Sequence, residues 1–241
     1  PERHLAAFDL ENTLIASNVV ASYAWLGSRH LKGRDRVRFV ARLVAEGPAL
    51  LSLDRKDRSD FLRHFYRRYD GASVDQINAD AKEKFSELIL AKSFPAAIRR
   101  VRMHRSLGHR TLLITGALDF VVEPFRPLFD DIVCAELGVV DGTYDGQLTS
   151  VPPTGEARYQ ALVDHAAVHD LDLRESVAYA DSASDLPMLE AVGFPVAVNP
   201  ETRLAGIARK RGWLVEDFHK SPGMNRSTLP LAPRRTVGTS R

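Results

Sequence analysis

Short apolar runs alternate with helical segments over most of this 241-residue chain, and that alternation constrains the fold more than any other feature. The runs are HLAAFD at 4–9, RTLLIT at 110–115, DIVCAEL at 131–137, SVAYAD at 176–181, PVAVN at 195–199 and WLVEDF at 213–218. Helical segments follow at 95–108, 156–169, 184–192 and 201–212, the first closed by Gly108 as a C-cap. Strands separated by helices return to one sheet through crossovers, so the expected class is α/β, a mostly parallel Rossmann-like sheet with helices on both faces. GVVDGTYDGQLT, at 138–149, departs from the pattern, and its Asp-Gly steps read as hairpin chemistry.

From about Asn18 to Lys92 the period changes to that of helices. Val19, Val20, Tyr23 and Leu26 suggest one buried face; Val37, Val40, Ala41 and Val44 a second; Phe61, Leu62, Phe65 and Tyr69 a third; Ile77, Ala81, Phe85 and Leu88 a fourth. Breaks are expected near Gly33, Gly47-Pro48 and Gly71. The expected organisation is an α/β core at 1–16 and 94–218, a helical insertion at 17–93, and a disordered basic tail at 219–241.

Bulk properties exclude several classes. No run approaches the roughly 18 to 20 apolar residues of a membrane span, so stable membrane insertion is not expected. Cys134 stands alone, which rules out a disulfide within the chain and suits a reducing cytoplasm. Its setting in DIVCAEL reads as a small buried hydrophobe. The net charge of +2 implies no nucleic-acid partner, and RRVRMHR, at 99–105, offers no aromatic stacking platform. The charge is uneven: residues 17–93 hold 15 Lys and Arg against 10 Asp and Glu, a positive field suited to an anionic substrate. The chain opens on Pro1 and enters a strand almost at once, as a processed protein or excised domain would. Oligomeric state is not legible.

Acids collect where the strands end. Ligands of open α/β sheets bind beyond the carboxyl ends of the strands. Those ends supply Asp9 and Glu11, then Thr115 and Gly116, then Asp181 and Asp185. Four carboxylates on one rim repel each other unless a cation joins them, and hard oxygen ligands suit Mg²⁺. Asp9 is then poised as a carboxylate nucleophile that forms an aspartyl-phosphate.

In their order, DLENT, LLITG, GEAR and YADSASD resemble the motifs of the haloacid dehalogenase superfamily, in its phosphoserine-phosphatase-like branch with an all-helical (C1-type) cap. The resemblance implies a Mg²⁺-dependent phosphomonoester hydrolase acting on a small or lipid-related phosphorylated metabolite. It implies Asp9 as nucleophile and Glu11 as the acid and base. Thr115 and Gly116 would hold the phosphoryl group, and Arg158 would offset its charge where relatives use Lys. Asp181 and Asp185 would hold the metal with Asp9 and with Glu11, the last through its backbone carbonyl.

Two departures from the family pattern bear on turnover. Glu11 is one methylene longer than the family's Asp, and a general acid must reach the leaving oxygen within hydrogen-bonding distance. Arg158 is planar and bulkier than the Lys it replaces. The rival reading is therefore a catalytically attenuated or inactive phosphate-binding or interaction domain, part of a larger lipid-metabolism protein. Asn18 stands where phosphoserine phosphatases carry a Glu that binds the substrate's ammonium, which argues against strict phosphoserine specificity. Val19, Val20, Tyr23 and Trp25 would suit an apolar substrate, although core packing is favoured. His165 and His169, at i and i+4, have a zinc-compatible spacing but no third ligand in view in the sequence, so they read as ordinary surface histidines.

Overall fold

A computed structural model describes residues 4–85 and 91–219. The tail expected beyond His219, and Leu88 of the fourth apolar face, lie outside them. Strand β1 (Leu5–Phe8) is fully buried, as the near-continuous apolar sequence of a strand covered on both faces requires. Its side chains alternate: Ala6 and Phe8 enter one core cluster, Leu5 and Ala7 the other.

After β1 come the helices α1 (Val19–Ser28), α2 (Gly33–Lys56), α3 (Arg58–Tyr66) and α4 (Val74–Asp80). Asn18, Asp57 and Ser73 cap α1, α3 and α4 through their side chains. Two expectations for α2 fail. The helix runs through Gly47-Pro48 and ends instead at Asp57, where the next cap begins. A proline inside a helix loses one backbone hydrogen bond; here buried Leu50 and half-buried Leu43 and Leu53 hold the helix on the core from both sides of it. Nor is the 37–44 face buried, because Val37 is 68% and Val44 70% exposed. The face that packs is offset from it, and Phe39 meets the Tyr23 ring at 5.7 Å. The faces expected on α1 and α3 are buried or packed as read, and so are Ile77 and Ala81.

Helix α5 (Pro95–Ser106) leads to β2 (Arg110–Leu118), followed by the short α6 (Asp119–Val122) and β3 (Asp131–Ala135). A hairpin of β4 (Leu137–Val140) and β5 (Thr143–Leu148) turns at Asp141 and Gly142, both at positive φ, as expected of the Asp-Gly step. Then come α7 (Gly155–Val168), β6 (Val177–Ala180), α8 (Leu186–Glu190), β7 (Phe194–Val198), α9 (Thr202–Arg211) and β8 (Leu214–Glu216). The six-stranded sheet has the order β3-β2-β1-β6-β7-β8 and is parallel throughout. Successive connections step outward from β1 through β2 to β3, then cross to β6 on the other side. The order therefore switches between β1 and β6, and a crevice opens beyond their carboxyl ends.

Among the described residues no helix is long and apolar enough to cross a membrane. Cys134 is half-buried, packs on the larger core cluster, and has its thiol pushed up to about 12 by burial, away from the reactive thiolate form. In the 99–105 segment Val101 is buried while Arg99, Arg102, Met103 and Arg105 face solvent, an ordinary helix surface.

Candidate active site

Asp9 follows the last residue of β1, and its backbone N–H donates to the carbonyl of Tyr179 on β6 at 3.0 Å. That bond fixes the carboxylate at the switch point. Asp181 follows β6 directly, and Asp185 ends the short 3₁₀ turn Ala183–Asp185 that begins at Ser182. One carboxylate oxygen from each of Asp9, Asp181 and Asp185 lies within 4.8 Å of the others. Asp9 is 3% and Asp185 2% exposed. Burial pushes the Asp9 carboxyl up to about 7, Arg158 opposing and Asp185 and Glu11 reinforcing. Burial, followed by repulsion from Asp9 and Asp185, takes Asp181 to about 8. Crowded acids whose ionised forms are this unfavourable, offering oxygen donors only, fit a hard divalent cation.

Arg158, in the first turn of α7, is buried between two of these acids. Its Nη2 lies 2.9 Å from Asp9 Oδ1, its Nη1 donates to Asp185 Oδ1, and its Nε donates to the Pro153 carbonyl at 3.2 Å. The planar fork thus spans two carboxylates, which an ammonium could not do with fixed geometry. Burial pulls its proton affinity down, but Asp185 and Asp9 more than offset this, so it is fully charged.

Glu11 faces the same cavity as these acids but stands outside the close trio. Its side chain is not part of the carboxylate trio; it accepts from Nη2 of Arg58, the first residue of α3. Arg58 also donates through Nη1 to Asp54 Oδ1 at 2.7 Å. The extra methylene lets the Glu11 carboxylate reach out to the helical insertion. Burial still raises its pKa, against Arg58 and Arg158.

Thr115 and Gly116 are placed differently from Asp9. Thr115 lies on β2 two residues past Leu113, which pairs with Phe8, so it stands beside the turn that carries Asp9. It is 1% exposed, and its Oγ1 accepts from the Ala117 N–H at 3.1 Å. The Gly116 carbonyl accepts from the Tyr66 hydroxyl at 2.8 Å. Neither residue lines the cavity of about 620 Å³ in which Asp9, Glu11, Asn18, Arg158, Asp181 and Asp185 meet. Asn18 caps α1 by accepting from the Ala21 N–H at 2.8 Å and also faces that cavity.

Arg55, Arg58 and Arg203 line the same cavity and were not singled out from the sequence. Arg55 and Arg58 sit among the 15 basic residues of the insertion, where nothing local marks them. Only the break after Lys56, signalled by the Asp57 cap, turns that end of the insertion toward the acids. Val19 is buried, and Val20, Tyr23 and Trp25 pack on the core, so the apolar face of α1 is used for packing, as favoured.

The haloacid dehalogenase-like hydrolase model matches residues 6–190. This chain belongs to that family. Phosphoserine phosphatase SerB1 of Mycobacterium tuberculosis is 32% identical over 238 residues, covering 94% of this chain and 75% of the relative. A histidinol-phosphatase of Neisseria meningitidis is 29% identical over 225 residues, covering 90% and 99%. Among solved structures, a protein of unknown function from Bordetella pertussis superposes with a TM-score of 0.78 at 26% identity, over 90% of this chain and 99% of the other. A phosphoserine phosphatase in apo form gives 0.67 at 16% identity, over 91% and 96%, a likeness of fold. The chain thus falls in the phosphoserine-phosphatase-like branch of the family, and these relatives support phosphoric monoester hydrolase activity.

Proposed function

We propose that the chain is a Mg²⁺-dependent phosphomonoesterase that works through an aspartyl-phosphate at Asp9, with the helical insertion at 17–93 acting as a cap. The observation that carries this reading is the group of buried Asp9 and Asp185 with half-buried Asp181 at the switch point, with the Arg158 fork across Asp9 and Asp185. Mg²⁺ bound by the trio would lower the Asp9 pKa and neutralise charge on the transferring phosphoryl group.

The chain's own residues perform the rest. Asp9 in its ionised form attacks phosphorus while the bond to the leaving oxygen breaks. Glu11, whose carboxyl burial keeps more readily protonated, gives its proton to that oxygen. The Glu11 carboxylate then takes a proton from the water that attacks the aspartyl-phosphate, inorganic phosphate departs, and Asp9 is regenerated. Arg158 balances the phosphoryl charge and orients Asp9. Thr115 and Gly116 are buried beside the turn and outside the cavity lining, so no phosphoryl contact is assigned to them. Arg58 must leave or share Glu11 when substrate enters, and the anionic substrate supplies the alternative partner.

Arg55, Arg58 and Arg203 around the cavity favour a small polar phosphomonoester with a second anionic group over an apolar one. Neutral Asn18 and the packed face of α1 support neither an ammonium nor a lipid chain as the recognised feature.

The test is phosphate release from a panel of phosphomonoesters with and without Mg²⁺, comparing the native chain with Asp9→Asn and Glu11→Asp. Mg²⁺-dependent release abolished by Asp9→Asn is the expected result. Release that survives Asp9→Asn, or silence from a folded native protein that binds Mg²⁺, overturns it; the second outcome favours a phosphate-binding module.

A further inference from the structure

A third candidate donor, which the sequence did not show beside His165 and His169, stands next to them in the fold. Strand alternation sends Ile132 and Cys134 to the larger core cluster and Val133 to the cluster under α7, so Asp131 also points to the α7 side. One carboxylate oxygen of Asp131 and one ring nitrogen from each histidine lie within 4.8 Å of one another. The rings of His165 and His169 are 4.5 Å apart at 49°, as one helical turn places them.

Two further observations point to a ligand. The His165 side chain is 10% exposed, and its Nε2 is buried without a hydrogen-bond partner. The nearest oxygen, Asp131 Oδ2, is 3.5 Å away, too far and too poorly aligned to bond. It is, however, close to the spacing of about 3.3 Å between two ligands of a tetrahedral ion bound at about 2.0 Å. The same Asp131 oxygen accepts from Arg110 Nε at 2.6 Å, which orients the carboxylate as an outer partner of a metal ligand does.

We propose that Asp131, His165 and His169 form a second metal site, for Zn²⁺, with one coordination position left to water. Two imidazoles and a carboxylate suit a borderline cation and are a poor match for Mg²⁺, so the site is chemically distinct from the all-oxygen trio. His165 lies seven residues below Arg158 on α7, about 10 Å along the helix. The ion would clip the lower half of α7 to β3, the edge strand of the sheet. That makes it a structural site which steadies the helix carrying Arg158.

Calorimetric titration of the full chain with Zn²⁺, in excess Mg²⁺, tests this, with Co²⁺ absorption as the spectroscopic readout. The native chain and Asp9→Asn should each bind one Zn²⁺ at micromolar or lower concentration and give the visible bands of tetrahedral nitrogen-ligated cobalt. His165→Gln, His169→Gln and Asp131→Asn should each weaken binding at least about tenfold and lose those bands. His169→Gln, at the partly exposed helix end, keeps the test valid should His165→Gln fail to fold. Unchanged stoichiometry and spectrum in the His169→Gln and Asp131→Asn variants overturns the proposal, as does Zn²⁺ binding only at millimolar concentration.

Discussion

Arg58, the first residue of α3, donates to the carboxylate of Glu11 in the turn after β1, so the helical insertion holds the proposed acid of the core by one ion pair. The contact joins residues 47 positions apart and places a cation where substrate must enter.

Removing that cation should impair turnover more than folding. Arg58 is 26% and Glu11 17% exposed in their side chains, so solvent screens part of the pair's energy, and Arg58→Ala should cost about 1–3 kcal/mol of stability. A substrate anion that loses its partner should lower kcat/KM by about 10- to 100-fold. Arg58→Lys should recover part of this. Phosphate-release kinetics alongside thermal melts separate the effects; equal losses for Ala and Lys would show that shape matters and charge does not.

Arg158 is more deeply committed. At 6% exposed, it is the cation between Asp9 and Asp185. Arg158→Ala should cost about 3–5 kcal/mol because it leaves buried carboxylates uncompensated. Arg158→Lys keeps the charge but spans one carboxylate instead of two, and about tenfold lower kcat is expected with the fold intact. Urea unfolding and initial rates on the two variants check both numbers.

Metal-free stability should fall as pH rises. Asp9 and Asp181 move from an ordinary 3.8 to about 7 and about 8 in the fold, so between these limits the native state binds more protons than the unfolded chain. The stability these two groups contribute is therefore full below about pH 4 and is lost as pH climbs through 7 and 8. Mg²⁺ binds the ionised trio and should restore the melting temperature most at pH 8, with little effect at pH 5. Melts across this range, with and without Mg²⁺, decide it; a metal-free protein that grows more stable from pH 5 to pH 8 would contradict the assignment.

Gly116 marks a seam between β2 and α3. A Cβ there would stand 2.5 Å from Leu62 Cδ1 and 2.9 Å from Thr154 Cγ2. Gly116→Ala should cost about 1–3 kcal/mol by overpacking and disturb the adjacent Thr115. Val44→Ser on the exposed face of α2 should stay within about 0.5 kcal/mol of the native chain. A melt of each variant gives the contrast.

Local patterns carried the sequence reading far. A fully buried strand is a short continuous run of apolar residues, a turn is Asp-Gly, and a carboxylate at a strand end is visible as a letter. Hence β1, the hairpin at Asp141 and Gly142, and the acids Asp9, Asp181 and Asp185 were legible. DLENT, LLITG and YADSASD lie at or near the ends of three neighbouring strands and GEAR opens α7, so four local motifs in order placed the chain in its family. Pairing across long sequence separations was not legible. Glu11 reads as one more acid of the rim until Arg58 turns it toward the insertion, and the face at Val37 and Val44 looks buried until the offset face carrying Phe39, Leu43 and Leu50 takes the core. Asp131 reads as the start of a strand until α7 brings two histidines to it. Sequence determines which groups each element presents, through short-range periodicity and turn chemistry. Which group answers which is decided by packing, because burial and Coulomb attraction depend on distance in space and not along the chain.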